Sequence, residues 1–212
     1  MITSKIFFKN FKNKNKNKNF QIIKELKNFI KKNDQVLQSL SKDYRDKFNK
    51  KNLRYYKNFK DVRVIGIGGS SQGIKAIYSF LKNKIKKNFT FLDNLSPKIL
   101  KVKKNKYLNL IVSKSGNTLE TIINTNLYVN KKDQNIFIIE NKKNYLNQLG
   151  RKLKAEIIQH NNFIGGRYSV LSEVGMLPAE LMGLDSNRFR QFNNLIKNKK
   201  FFNALILNVA TT

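Results

Sequence analysis

Val62-Arg63-Val64-Ile65-Gly66-Ile67-Gly68-Gly69-Ser70-Ser71-Gln72-Gly73 joins an apolar, β-branched run to glycines and hydroxyls. The next residues, Ile74, Ile77, Tyr78 and Leu81, fall at i, i+3, i+4 and i+7, which is one face of a helix. The spacing predicts a strand over Arg63–Ile67, a tight glycine turn and a helix over Gly73–Lys82. A helix that starts this way presents unpaired N–H groups and the positive end of its dipole, so the junction suits an anion.

Outward from this stretch the same order recurs. Asn88–Leu92, Tyr107–Val112 and Asn135–Ile139 are short apolar runs suited to strands buried on both faces, and a further short strand is expected near Glu156–Ile158. Thr118–Val129 carries Leu119, Ile122, Ile123 and Leu127 at helical spacing. Strand alternating with helix implies α/β architecture, a parallel sheet covered by helices on both sides in three layers. Before it, Phe20–Tyr56 has helical spacing, with Ile22, Ile23, Leu26 and Ile30 on one face. After Gly165-Gly166-Arg167 the chain turns helical again: Pro178 is expected to break or restart a helix, and Arg188–Lys197 and Phe201–Val209 read as helices. No internal repeat is seen. The chain stops at Thr212 directly after an apolar segment, as an incomplete sequence would.

Composition bounds the chemistry. The 212 residues suffice for one α/β domain and an appendage, and 40% apolar residues with 16 Phe can fill a core. No apolar run reaches the roughly 18 residues of a membrane span. Cysteine is absent, which excludes disulfides, thiolate nucleophiles and Cys zinc sites, and a lone His160 argues against a His-based metal site. The net charge of +30 raises binding to nucleic acid or another polyanion. Lys far outnumbers Arg and is spread along the chain with abundant Asn, whereas base readers favour bidentate Arg. Compositional bias is therefore the preferred reading, and specific nucleic-acid binding is not expected. Ile6-Phe7-Phe8 is too short for a secretory signal, and the Lys/Asn alternation from Asn10 to Asn19 reads as solvated and flexible.

Ile111-Val112-Ser113-Lys114-Ser115-Gly116-Asn117-Thr118-Leu119-Glu120-Thr121 is a second strand-to-helix junction. Ser113, Ser115, Thr118 and Thr121 supply hydroxyls, and Lys114 adds a positive charge at the strand end. Asn117 and Glu120 have capping-box spacing, with Asn117 as the N-cap. Hydroxyls and amides so placed suit a phosphate monoester, and two such cradles imply a phosphorylated ligand between them. The plain alternative is a capped helix with incidental hydroxyls. A dinucleotide fingerprint is incomplete, because Gly66-x-Gly68 is followed by Ser71 where the third glycine belongs, although Asp93 stands where a ribose contact would. No Gly-Lys-Ser/Thr ends the loop, which excludes a P-loop. Gly165-Gly166-Arg167-Tyr168-Ser169 is a third junction, where Arg167 is either an ordinary surface residue or a stabiliser of a negative intermediate. His160 reads as structural.

Taken in order and spacing, Gly66–Ser70, Ser113–Thr121 and Gly165-Gly166-Arg167-Tyr168-Ser169-Val170 resemble the glucose-6-phosphate isomerase family over roughly residues 61–185. The resemblance implies a three-layer SIS-type (flavodoxin-like) parallel sheet with an N-terminal helical appendage. It divides the chain into a Lys/Asn-rich helical segment (1–60), a first SIS domain (61–165) and a helical connection toward a missing second SIS domain (166–212). It implies that Gly69, Ser70, Ser113, Lys114, Ser115 and Thr118 bind the sugar phosphate and that Arg167 stabilises an enediolate. The implied reaction interconverts glucose 6-phosphate and fructose 6-phosphate, in glycolysis and gluconeogenesis, with no cofactor and no metal, in a cytoplasmic homodimer when full length. One departure stands out. The family's catalytic Glu, ring-opening His and late Lys lie downstream of the Gly-Gly-Arg motif, and no matching Glu motif follows Arg167. Glu173 and Glu180 come too early, and His160 precedes the motif. The expectation is a truncated isomerase that lacks its base. A standalone SIS-type sugar-phosphate sensor is the alternative, ahead of a polyanion binder and a dinucleotide oxidoreductase.

Overall fold

The computed structural model describes residues 16–32, 34–96 and 106–211. The chain separates into two compact units, one of residues 1–44 with 187–212 and one of residues 45–186. The boundaries expected from the sequence fell at 60/61 and 165/166. Residues 45–60 and 166–186 instead group with the sheet, because α3 (Leu53–Tyr56) and the 3₁₀ turn Gly166–Leu171 both pack on α7 (Glu173–Leu181).

In the first unit, α1 (Lys16–Lys31) packs on α9 (Lys199–Thr211), and α8 (Phe192–Lys197) packs on α9. Among the residues of α1 whose burial is described, Ile22, Ile23, Leu26 and Ile30 are the half-buried ones, as their spacing predicts. The single helical stretch expected over Phe20–Tyr56 is broken into α1, α2 (Gln35–Ser39) and α3. Asp34 begins α2 by accepting from the Val36 N–H at 2.8 Å, the N-cap that restarts a helix after a turn. The Lys/Asn run lies outside the described residues up to Asn15, and its last residues form the start of α1 rather than a flexible tail. Ile6-Phe7-Phe8 lies outside the described residues. The helix expected from Arg188 begins at Phe192, after a 3₁₀ turn at Ser186–Arg188.

In the second unit, β1 (Asp61–Ile65), β2 (Asn88–Leu92), β3 (Leu108–Ser113), β4 (Gln134–Ile139) and β5 (Glu156–Gln159) form a parallel sheet in the order β2-β1-β3-β4-β5. α4 (Gln72–Phe80) links β1 to β2, α5 (Leu119–Tyr128) links β3 to β4, and α6 (Tyr145–Lys152) links β4 to β5. Right-handed crossovers that run outward in opposite directions from the β1–β3 pair place α4 on one face and α5 and α6 on the other. Ile65, Ile111, Phe137 and Ile139 form a core with Tyr128 of α5 and Leu146 of α6. By strand alternation Val64, Leu110, Val112, Ile136 and Ile138 face the other side, where they are equally buried, and α7 packs against α4. The architecture is thus the three-layer α/β fold expected.

β1 ends at Ile65, two residues before its expected end, and Gly66-Ile67 lead into the turn. α6 has no counterpart in the sequence reading. Its Asn144 N-cap accepts from the Asn147 N–H at 2.8 Å, and Gly150 lets it lie close to Phe137 and Ile157. α7 runs through Pro178 instead of breaking there. The proline removes one helical hydrogen bond, but nearly all of α7 is buried, and that packing holds it helical.

Candidate functional site: a phosphate cradle at the switch point of the sheet

β1 and β3 are neighbours whose onward connections diverge, so a crevice opens beyond their carboxyl ends. The loops after these two strands carry the first two motifs. At Gly66 a Cβ would stand 2.6 Å from the Val112 carbonyl oxygen, so only glycine lets the end of β1 lie this close to β3. Gly68 takes φ +58°, and a 3₁₀ turn over Gly68–Ser70 closes through Ser70 N–H to Ile67 O (3.2 Å) and Ser71 N–H to Gly68 O (3.1 Å). Ser71 is the N-cap of α4 but makes no side-chain cap, and the Lys75 N–H bonds the Ser71 carbonyl at 2.9 Å. The first-turn N–H groups of α4 are left for a ligand or water.

The second loop is shaped from within. Ser113 is 1% exposed, and its hydroxyl accepts from the Gly116 N–H at 3.2 Å and lies 3.1 Å from the Thr118 hydroxyl. With Ser113 donating its proton, the Thr118 hydroxyl accepts and keeps its own proton for an anion. Gly116 holds φ +68° with its α-carbon against the Asn144 side chain. Ser115 is exposed, and its hydroxyl accepts from the Asn117 N–H at 3.3 Å.

The capping box is not formed. Thr118, not Asn117, is the N-cap of α5, with no side-chain cap bond, and Glu120 sits second in the helix. Asn117 Oδ1 accepts instead from the Tyr145 N–H at 3.1 Å, and the Gly116 carbonyl accepts from the Leu146 N–H at 3.1 Å. The start of α6 thus docks on this loop and takes the acceptor that a local rule assigned to α5. The Ile122 N–H bonds the Thr118 carbonyl at 3.0 Å, so α5 also presents an uncapped first turn.

The third motif meets the first. A Cβ on Gly69 would overlap the Gly166 carbonyl group and stand 2.9 Å from the Arg167 nitrogen. Glycine at position 69 therefore lets the backbones of the first and third loops touch, whereas a Cβ on Gly166 would stand an ordinary 3.8 Å from the Gly69 α-carbon. Ser169 Oγ, at the other end of the turn, donates to Gly166 O at 2.8 Å. Arg167 is exposed.

Beside the cradle, Lys114 Nζ donates to the Asn162 carbonyl at 2.7 Å and lies 3.6 Å from Glu140 Oε1, while Lys142 holds Glu140 Oε2 at 3.0 Å. His160 is 1% exposed, with Nδ1 2.9 Å from the Asn161 carbonyl oxygen. A carbonyl only accepts, so Nδ1 carries the proton. Burial lowers the His160 pKa below its ordinary value; the Asn161 carbonyl opposes this, Lys114 adds to it and Glu140 opposes it. Sequence reasoning found no partner for His160, because Lys114 and Glu140 reach it only through strand pairing. Glu140 and His160 were missed as neighbours of the site, although each directly follows a strand end, where ligands of open α/β sheets bind. Asp93 pairs with Lys75 at 3.0 Å. Among the described residues no group of three His, Cys, Asp or Glu could hold a metal ion, and no helix is long and apolar enough to cross a membrane.

The parallel 2-1-3-4-5 sheet, with helices on both faces and two uncapped helix starts at its switch point, defines a three-layer domain of the SIS type (flavodoxin-like). A crystal structure of a hypothetical protein from Thermus thermophilus superposes with TM-score 0.67 at 21% identity, covering 92% of this chain and 51% of that one, a likeness of fold. The phosphoglucose isomerase family model matches residues 10–204, and the chain belongs to that family. It is 32% identical over 186 residues to the glucose-6-phosphate isomerase of Methanocaldococcus jannaschii, covering 78% of this chain and 45% of that protein. It is 34% identical over 187 residues to the glucose-6-phosphate isomerase of Prochlorococcus marinus, covering 80% of this chain and 33% of that one. The chain thus spans less than half the length of these curated relatives.

Proposed function

We propose that this chain binds the phosphate of a hexose 6-phosphate and takes part in the interconversion of glucose 6-phosphate and fructose 6-phosphate. The observation that supports the reading is the contact of Gly69 with Gly166, which brings the Arg167 backbone nitrogen against the turn after β1. Gly69 and Ser70 offer the turn after β1, and Ser113, Lys114, Ser115 and Thr118 the loop after β3. The uncapped first turns of α4 and α5 add N–H donors on either side of a dianion.

In the aldose-to-ketose direction the ring opens and a base takes the proton from C2. The electrons of that bond form the C1–C2 double bond, and the charge comes to rest on the carbonyl oxygen. Arg167 stabilises that enediolate; a proton passes from the C2 hydroxyl to the C1 oxygen, and as the C2 carbonyl forms, the C1–C2 π electrons take up the proton returned to C1. The seven proposed residues include no carboxylate, so the proton moves through a group beyond them. Glu173 and Glu180 are engaged elsewhere: Glu173 accepts from the Lys47 N–H at 3.1 Å, and Glu180 pairs with Lys50 at 2.7 Å and accepts from the Ser186 N–H at 3.0 Å. That engagement favours a second reading, a sugar-phosphate binding module without turnover. On the first reading the protein works in the cytoplasm as a homodimer without a cofactor, and its basic surface has no specific nucleic-acid partner.

Calorimetric titration with fructose 6-phosphate at moderate salt, with a coupled isomerase assay on the same sample, tests both. Saturable binding that persists as salt is raised supports the cradle, and turnover separates the isomerase from the module. Binding that tracks salt and ignores the sugar would mark a general polyanion surface and overturn both.

A further inference from the structure

The strand register sets three charged or titratable side chains in a row. Ser113 pairs with Ile139 and Ile139 with Gln159, and the ladder continues one step, from the Glu140 N–H to the Lys114 carbonyl (3.1 Å) and from the His160 N–H to the Ile139 carbonyl (2.7 Å). Lys114, Glu140 and His160 therefore stand side by side just beyond β3, β4 and β5. The Glu140 side chain is 8% exposed, and its two oxygens face one lysine each. A carboxylate buried to this degree is stabilised by the paired cations.

The Lys114 ammonium is directed along this row. Its hydrogen bond goes to the carbonyl of Asn162, and the carbonyl of the preceding residue, Asn161, takes His160 Nδ1–H. Two successive carbonyls are thus pinned three to four residues before Gly165-Gly166-Arg167. A further bond, Ile164 N–H to Asn161 O at 3.2 Å, closes the same turn. The pinned segment leads straight into Gly165-Gly166, of which Gly166 touches Gly69.

We propose that Lys114 is a positioning residue: held by Glu140, it ties the loop after β3 to the loop that carries Arg167, while main-chain N–H groups and hydroxyls hold the phosphate. Resting on the cradle reading above, this changes what the Lys114 side chain does there, from a phosphate ligand to a strut between two loops. Glu140 belongs to the same device, since without it the ammonium loses the partner that directs it along the row.

Two ligands separate the roles. Inorganic phosphate reads the cradle alone. A five-carbon aldonate 5-phosphate also places a planar carboxylate where an enediolate would meet Arg167. In K114M and E140Q the aldonate phosphate is expected to lose about tenfold in affinity. Inorganic phosphate binding stays within about twofold, and K114R restores the aldonate phosphate. Amide hydrogen exchange of residues 161–167 without ligand is expected to speed up in K114M. Equal weakening of both ligands in K114M would make the ammonium a phosphate ligand and overturn the proposal, as would unchanged exchange in 161–167. A wild-type chain that binds neither ligand would sink the cradle instead, and the exchange measurement would still decide the strut.

Discussion

The hydroxyls of Ser113 and Thr118 lie 3.1 Å apart and close the loop between β3 and α5 across its neck. Ser113 faces inward and Thr118 is half-buried, so the two residues do different work within one hydrogen-bond chain. The S113A change leaves the buried Gly116 N–H without its acceptor and is expected to cost about 1–3 kcal/mol of stability. T118A removes no acceptor of a backbone donor and orphans only the Ser113 hydroxyl proton, so it is expected to cost less stability than S113A while weakening fructose 6-phosphate binding about tenfold. Thermal melts and titrations on both variants check this, and full affinity in T118A would remove Thr118 from the cradle.

Gly68 and Gly69 are adjacent but fail differently when substituted. At Gly69 the new methyl group meets backbone from Gly166 and Arg167, which has no flexible end to give way. G69A is expected to lose about 1–3 kcal/mol and to push the Arg167 loop away. At Gly68 nothing lies within 4 Å of a Cβ, and only its φ of +58° resists. G68A is expected to cost about 1–2 kcal/mol and leave the Gly69–Gly166 approach in place. Denaturant unfolding gives the stabilities. Amide exchange at Arg167 gives the loop, and the idea fails if G68A disturbs that amide as much as G69A does.

His160 makes stability depend on acid. Its folded pKa lies below the ordinary 6.5, chiefly through burial, so the unfolded chain binds the proton more readily. Stability is therefore complete above pH 6.5 and falls as pH drops from there toward the lowered folded value. A melting temperature that declines below pH 6.5 in the wild type, and declines less in H160Q, is the expected result. Parallel profiles for the two proteins would count against it.

Lys87 is the residue expected to react first with an acylating reagent. Its ammonium is half-buried against the Tyr56 carbonyl at 2.9 Å, and burial, with Lys57 adding repulsion, pushes its pKa down to about 8. At pH 8 its neutral fraction exceeds that of an ordinary lysine on the order of a hundredfold. Limited acetylation at pH 8 followed by peptide mapping is expected to mark Lys87 ahead of the exposed Lys86. The same shift makes stability rise with pH between about 8 and 10.5, where the unfolded chain holds more protons.

What could be read along the chain was what short-range pattern encodes. Arg63–Ile67 and Asn88–Leu92 read as strands because apolar, β-branched and aromatic residues dominate them next to glycine, Asp or Asn. α6 escaped because Asn, Gln, Arg and Lys make up half of its eight residues, and its buried side is Leu146, Asn147 and Gly150 with Leu149 partly buried, too few apolar positions for a helical pattern. Asn117 was misread because its spacing to Glu120 satisfies a local rule, while the donor that claims it comes from Tyr145, 28 residues away.

Local pattern and ordered motifs were enough to establish the alternation of strands and helices, the two glycine- and hydroxyl-rich junctions and the family. Each of these rests on residues close together in the chain or on the order of short motifs. Three relationships needed the folded chain: Gly69 touches Gly166, α6 docks on the loop after β3, and Lys114, Glu140 and His160 stand in one row. A parallel sheet joins strands distant in sequence, so the residues beyond their ends become neighbours only through register and packing.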